Sequence, residues 1–75
     1  MRLVGQEFRS KATYMKGRIV KTSWNYLFIN FNKNNEYLLR ISFEDFLKYC
    51  LCSDEVKEEV LSRIEEQKTK TKQSI

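Results

Sequence analysis

The apolar positions change period about halfway along the chain. In residues 8–15 and 18–24, polar and apolar side chains mix with Thr, Val, Ile, Tyr and Trp, the make-up of half-buried strands, and Lys16-Gly17 lies between the runs as a turn. A two-residue loop there sets Met15 against Arg18, Thr13 against Val20 and Arg9 against Trp24, with Tyr14 facing Ile19 on the other side. A bulge at Gly17 would offset that register by one residue. Residues 25–31 and 36–41 read as a second hairpin around Asn32-Lys33-Asn34-Asn35, a run that tolerates left-handed backbone. Its expected pairs are Phe31 with Glu36, Asn30 with Tyr37, Ile29 with Leu38, Phe28 with Leu39 and Tyr26 with Ile41. Because strand side chains alternate, Tyr26, Phe28, Tyr37, Leu39 and Ile41 then share one face, and Leu27, Ile29, Phe31 and Leu38 share the other.

After this point the period becomes helical. Ser42, with Asp45 three residues on, is a capping-box pattern, and Phe43, Phe46, Leu47, Cys50 and Leu51 follow at helical spacing. Ser53 caps a second helix whose stripe is Val56, Val60, Leu61 and Ile64, with Asp54 and Glu55 at the positive end of its dipole. From Lys68 on, Lys, Thr, Gln and Ser alternate with no apolar residue before Ile75. The expected fold is α+β: a small four-stranded, mainly antiparallel sheet of two hairpins, able to curl into a partial barrel, followed by two short C-terminal helices. Residues 1–67 form the single domain and residues 68–75 a flexible basic tail. Phe43, Phe46 and Leu47 are expected to cover the Tyr26/Phe28/Leu39/Ile41 face. Leu27, Ile29, Phe31 and Leu38 then need sheet curvature, the second helix or another chain to cover them, which makes them the expected protein interface, a homodimer included.

Composition narrows the chemistry. The chain has 75 residues, two Cys and no His, so the commonest catalytic base and metal ligand are both missing. Cys50 and Cys52 supply only half of a four-ligand zinc site; Cys50 reads as a small buried residue and Cys52 as a free thiol. Gly5 and Gly17 are too far apart for a phosphate loop. The carboxylates Asp54, Glu55, Glu58, Glu59, Glu65 and Glu66 read as a solvated helix face. No catalytic constellation, metal, cofactor or small-molecule substrate is expected, and neither is a membrane span or a secretory leader, so the expected location is the cytoplasm.

Charge changes the picture more. Residues 1–34 carry seven cations against Glu7 alone, a net of +6, whereas residues 35–67 carry four against nine carboxylates, a net of −5. Arg9, Lys11, Lys16, Arg18 and Lys21 are interleaved with Phe8, Tyr14 and Trp24, the mixture by which proteins hold phosphates and stack bases. Arg9, Lys11, Tyr14, Lys16, Arg18, Lys21 and Trp24 are therefore the candidate nucleic-acid contacts of a non-enzymatic binding module, with Lys68, Lys70 and Lys72 as a phosphate tether. An Arg9–Trp24 cation–π pair and protection of a sheet edge are the plain alternatives for these residues. In size and composition the chain also resembles small accessory proteins of phages and mobile elements, including inhibitors of host defence nucleases. That resemblance implies a regulator acting by protein–protein binding through the apolar second hairpin, on a nucleic-acid-processing partner.

Overall fold

The computed structural model describes residues 2–31 and 38–73, with side chains as far as residue 68. Five strands form one antiparallel sheet, curled into a half-barrel, in the order β4-β3-β2-β1-β5: β1 Glu7–Ser10, β2 Lys16–Thr22, β3 Tyr26–Asn30, β4 Leu39–Ser42 and β5 Cys50–Leu51. Helix α1, Phe43–Tyr49, lies between β4 and β5, and α2, Asp54–Gln73, follows β5.

The first hairpin is centred four residues earlier than its composition suggests. Glu7 pairs with Arg18, Phe8 with Gly17 and Arg9 with Lys16, so Lys16-Gly17 lies within β2 and not in the turn. Residues 11–15 make the turn instead. Ser10 N–H donates to Met15 O (3.0 Å), Tyr14 N–H to Ser10 O (2.8 Å), and the Ser10 and Thr13 hydroxyls accept from Ala12 and Met15 N–H. Tyr14 takes the left-handed φ of 59° that closes it. Gly17 is needed in the strand because the Phe8 ring lies directly over it; a Cβ there would stand 2.6 Å from Phe8 Cζ.

The second hairpin forms one residue out of the expected register. Tyr26 pairs with Ser42, Leu27 with Ile41, Phe28 with Arg40 and Ile29 with Leu39. A one-residue slip reverses the faces of a strand, so Leu39 and Ile41 join Leu27 and Ile29 on the inner face, and Arg40 joins Tyr26 and Phe28 on the outer one. The turn at residues 32–35 and the pairs involving Glu36 and Tyr37 lie outside the described residues.

Both helices fill the inner side. The Ser42 hydroxyl accepts from Asp45 N–H at 3.1 Å and starts α1, a cap worth about 1 kcal/mol. Cys50, expected to continue α1, is extended (φ −124°, ψ 145°) and pairs with Ser10, while Leu51 pairs with Arg9. Strand pairing to the free edge of β1 overrides the helical spacing, yet Cys50 stays buried because its inward position on β5 also faces the core. Ser53 then caps α2 through Val56 N–H (3.3 Å). Val56, Val60 and Ile64 point into a core with Leu3, Phe8, Ile19, Leu27, Ile29, Phe43 and Phe46, whereas Leu61 is exposed. Helix α2 is not short: it runs twenty residues, and the segment expected to be a tail from Lys68 is helical through Gln73.

Leu27 (0% exposed) and Ile29 (1%) are thus core residues covered by the chain's own helices, and Phe31 is half-buried, edge-on to Phe8 with centroids 5.5 Å apart. Of the four residues expected to form a protein interface, Leu38 alone is exposed. The reason is the sheet's curvature and the face that α1 chose: it packs on Leu27 and Ile29, not on Tyr26 and Phe28. Among the described residues, no helix is long and apolar enough to cross a membrane.

Candidate nucleic-acid interface

Residues paired across antiparallel strands project to the same side of the sheet. On the outer, convex side the register therefore builds three neighbouring cross-strand rows: Leu51, Arg9 and Lys16; then Glu7, Arg18 and Asn30; then Lys21, Phe28 and Arg40, with Tyr26 beyond. Arg9, Lys16, Arg18, Lys21 and Arg40 face outward with a single carboxylate, Glu7, among them.

Lys21 reaches this face through an irregularity. Strict alternation from the buried Ile19 would turn Lys21 into the core. Instead the register with β3 shifts between Ile19, opposite Ile29, and Lys21, opposite Phe28. Val20 is the extra residue of a β-bulge, which re-aims Lys21 outward. Leu3 to Gln6 turn beside it, Gly5 (φ 93°) donating its N–H to Ile19 O at 2.7 Å, and Ile19 N–H in turn donating to Gln6 O at 2.9 Å.

The cations are differently occupied. Lys16 pairs with Glu7 at 2.7 Å, and the hydrogen bond from its ammonium holds the Glu7 carboxyl below the usual carboxylate range. The pair therefore stands at neutral pH and is lost only as pH falls through that lowered value, which would leave the face more positive still. Arg9 donates from Nη1 to Tyr14 O at 2.9 Å. The Arg40 guanidinium lies 4.7 Å from the Tyr26 ring centroid and the Lys21 ammonium 5.8 Å from that of Phe28. Among the described residues, no ion pair joins Arg9, Arg18, Lys21 or Arg40 to a carboxylate. Most of the acidic residues, Glu44 and Asp45 on α1 and Asp54, Glu55, Glu58, Glu65 and Glu66 on α2, are exposed on the helices beside Lys48, Lys57 and Lys68, so the helical layer carries both signs while the outer sheet face carries cations with one carboxylate.

The expected contacts separate accordingly. Arg9, Lys16, Arg18 and Lys21 come together on the convex face. Lys11 does not join them: its ammonium donates to Leu47 O (3.3 Å) and its N–H to Tyr49 O (2.9 Å), at the negative C-terminal end of α1. Tyr14 (64% exposed) and Trp24 (53%) stand on separate turns, the first between β1 and β2, the second between β2 and β3. The expected Arg9–Trp24 pair is absent because the earlier turn displaces the register; the Trp24 carbonyl instead accepts from Gln67 Nε2 on α2. Arg40, Tyr26 and Phe28 are site residues that sequence reasoning missed. The signal for them was Arg40, a cation amid apolar neighbours whose exposure requires Leu39 and Ile41 to face inward.

Cys50 and Cys52 are both unpaired thiols, and burial pushes both up from the ordinary thiol range. They are protonated at neutral pH and poor nucleophiles. Iodoacetamide at neutral pH should therefore label the native protein slowly, at the half-buried Cys52 first, and Cys50 only after denaturation; intact mass over time checks this. Labelling of both at the rate of a free cysteine would show that neither is sheltered. Among the described residues, no group of three or more Cys, Asp or Glu is placed to hold a metal ion. No family model, curated protein or solved structure matches the chain.

Proposed function

We propose that this chain is a non-enzymatic binding module whose convex sheet face, Arg9, Lys16, Arg18, Lys21 and Arg40 around Tyr26 and Phe28, contacts nucleic acid. The observation that carries this reading is the concentration of charge: five cations on adjoining cross-strand rows with one carboxylate among them, on the side of the sheet opposite the helices. Such a face gains by releasing the counterions condensed on a polyphosphate. Two free thiols suit work in a reducing cytoplasm.

The test is the salt dependence of binding to bare DNA or RNA, followed by fluorescence anisotropy. Affinity should fall steeply from low to moderate salt, and Arg18→Ala or Lys21→Ala should each weaken binding and reduce the log–log slope by about 1. Binding that ignores salt, or that survives loss of both cations unchanged, refutes the reading. Negligible binding to bare nucleic acid, together with nuclease-resistant capture of a protein, would favour a regulator acting through protein contacts, and on a surface other than Leu27 and Ile29.

A further inference from the structure

Resting on that reading, we infer that the convex face takes single-stranded rather than duplex nucleic acid, with unstacked bases seated on Tyr26 and Phe28. Three features of the face carry this. The first is the presence of aromatic rings at one end of it, flanked by Lys21 and Arg40. Tyr26 and Phe28 are two residues apart on β3 and share the outer side, and Tyr26 is 38% exposed. A duplex offers a sheet face only phosphates and groove edges, against which these rings gain nothing; a single strand offers base faces, for which any base serves.

The second feature is spacing. Alternate residues on a strand are about 6.8 Å apart, about twice the 3.4 Å separation of stacked base pairs in a duplex. Successive bases can each meet one ring only if the strand is drawn out and unstacked. The cations that lie over the rings, Arg40 on Tyr26 and Lys21 beside Phe28, are long and flexible. In the complex they move to the phosphates flanking each base, or stack on the base's far side, as guanidinium groups do. The free protein thus keeps each ring partly covered by the group that its ligand's backbone would draw away.

The third feature is shape. The sheet curls away from solvent around its helices, so the basic face is convex. A duplex is itself a convex cylinder, and two such surfaces meet along a narrow line that limits the number of phosphate contacts. A flexible single strand follows the curvature and can run from Arg9 and Lys16 past Arg18 to Lys21 and Arg40.

Anisotropy titrations with labelled oligothymidylate and with a labelled mixed-sequence duplex, in the same low-salt buffer, decide the matter. Oligothymidylate should bind the more tightly, and Tyr26→Ala should weaken it by roughly five- to a hundred-fold while leaving duplex binding nearly unchanged. Phe28→Leu, which keeps the apolar bulk but removes the π face, should act in the same direction with the circular dichroism spectrum preserved. Equal or tighter duplex binding, or single-strand binding that responds to Arg18→Ala but to neither ring substitution, overturns this inference and leaves the nucleic-acid reading standing. Failure of both probes to bind overturns the two together.

Discussion

Phe46→Ala should lower the unfolding free energy by about 3–5 kcal/mol, the range found when a wholly buried phenylalanine is truncated. Phe46 is 0% exposed and meets the edge of Phe8 with ring centroids 5.0 Å apart. It belongs to the cluster that joins α1, α2 and the inner sheet face. For a domain of this length the total stability expected is roughly 4–11 kcal/mol, so the variant would stand near the edge of folding. Urea denaturation followed by circular dichroism gives the number, and Phe46→Leu should lose distinctly less because it leaves a smaller void. A loss below about 1 kcal/mol for the alanine variant would mean that α1 does not hold the sheet as described.

Gly17→Ala is expected to cost about 1–3 kcal/mol, although it adds only one methyl group. That methyl would stand 2.6 Å from Phe8 Cζ and 3.1 Å from Phe31 Cδ1. Phe8 has no room to retreat, being 3% exposed and held edge-to-face by Phe31 on one side and Phe46 on the other. The assignment of Gly17 to β2 is what this experiment probes. A glycine in an exposed turn would accept alanine for far less, unless its φ were positive. Combining Gly17→Ala with Phe8→Leu should give less than the sum of the two losses, because the smaller side chain removes the clash. Strict additivity would show that the ring and the glycine do not touch.

Much of the fold was legible before any coordinates. The strands β2 and β3 within residues 18–31, the capping serines Ser42 and Ser53, and Val56, Val60 and Ile64 of the expected stripe, though not Leu61, all depend on neighbours in the chain, and the structure keeps each of them. The concentration of cations on the strands was legible for the same reason, because charge sign belongs to the residue itself. Sequence could also nominate Arg9, Lys16, Arg18 and Lys21; the shared direction of the first three follows once β1 and β2 pair, whereas that of Lys21 depends on the bulge.

Tertiary structure decided the rest. Lys16-Gly17 resembles a turn locally, but the packing of Phe8 on a strand without a side chain makes it the better partner for β1. Cys50 and Leu51 have helical spacing, and an unpaired strand edge claimed them. The faces of β4 and the direction of Lys21 were set by a one-residue register and a one-residue bulge. Both distinguish between arrangements of nearly equal local energy, and only the long-range choice to bury Leu27 and Ile29 separates them. That choice buried two residues expected at a protein interface and turned Arg40, Tyr26 and Phe28 outward to complete a basic, aromatic surface. Local preference determines which elements form and what charge each bears; register and curvature, fixed by burial between residues distant in the chain, determine which of those side chains meet.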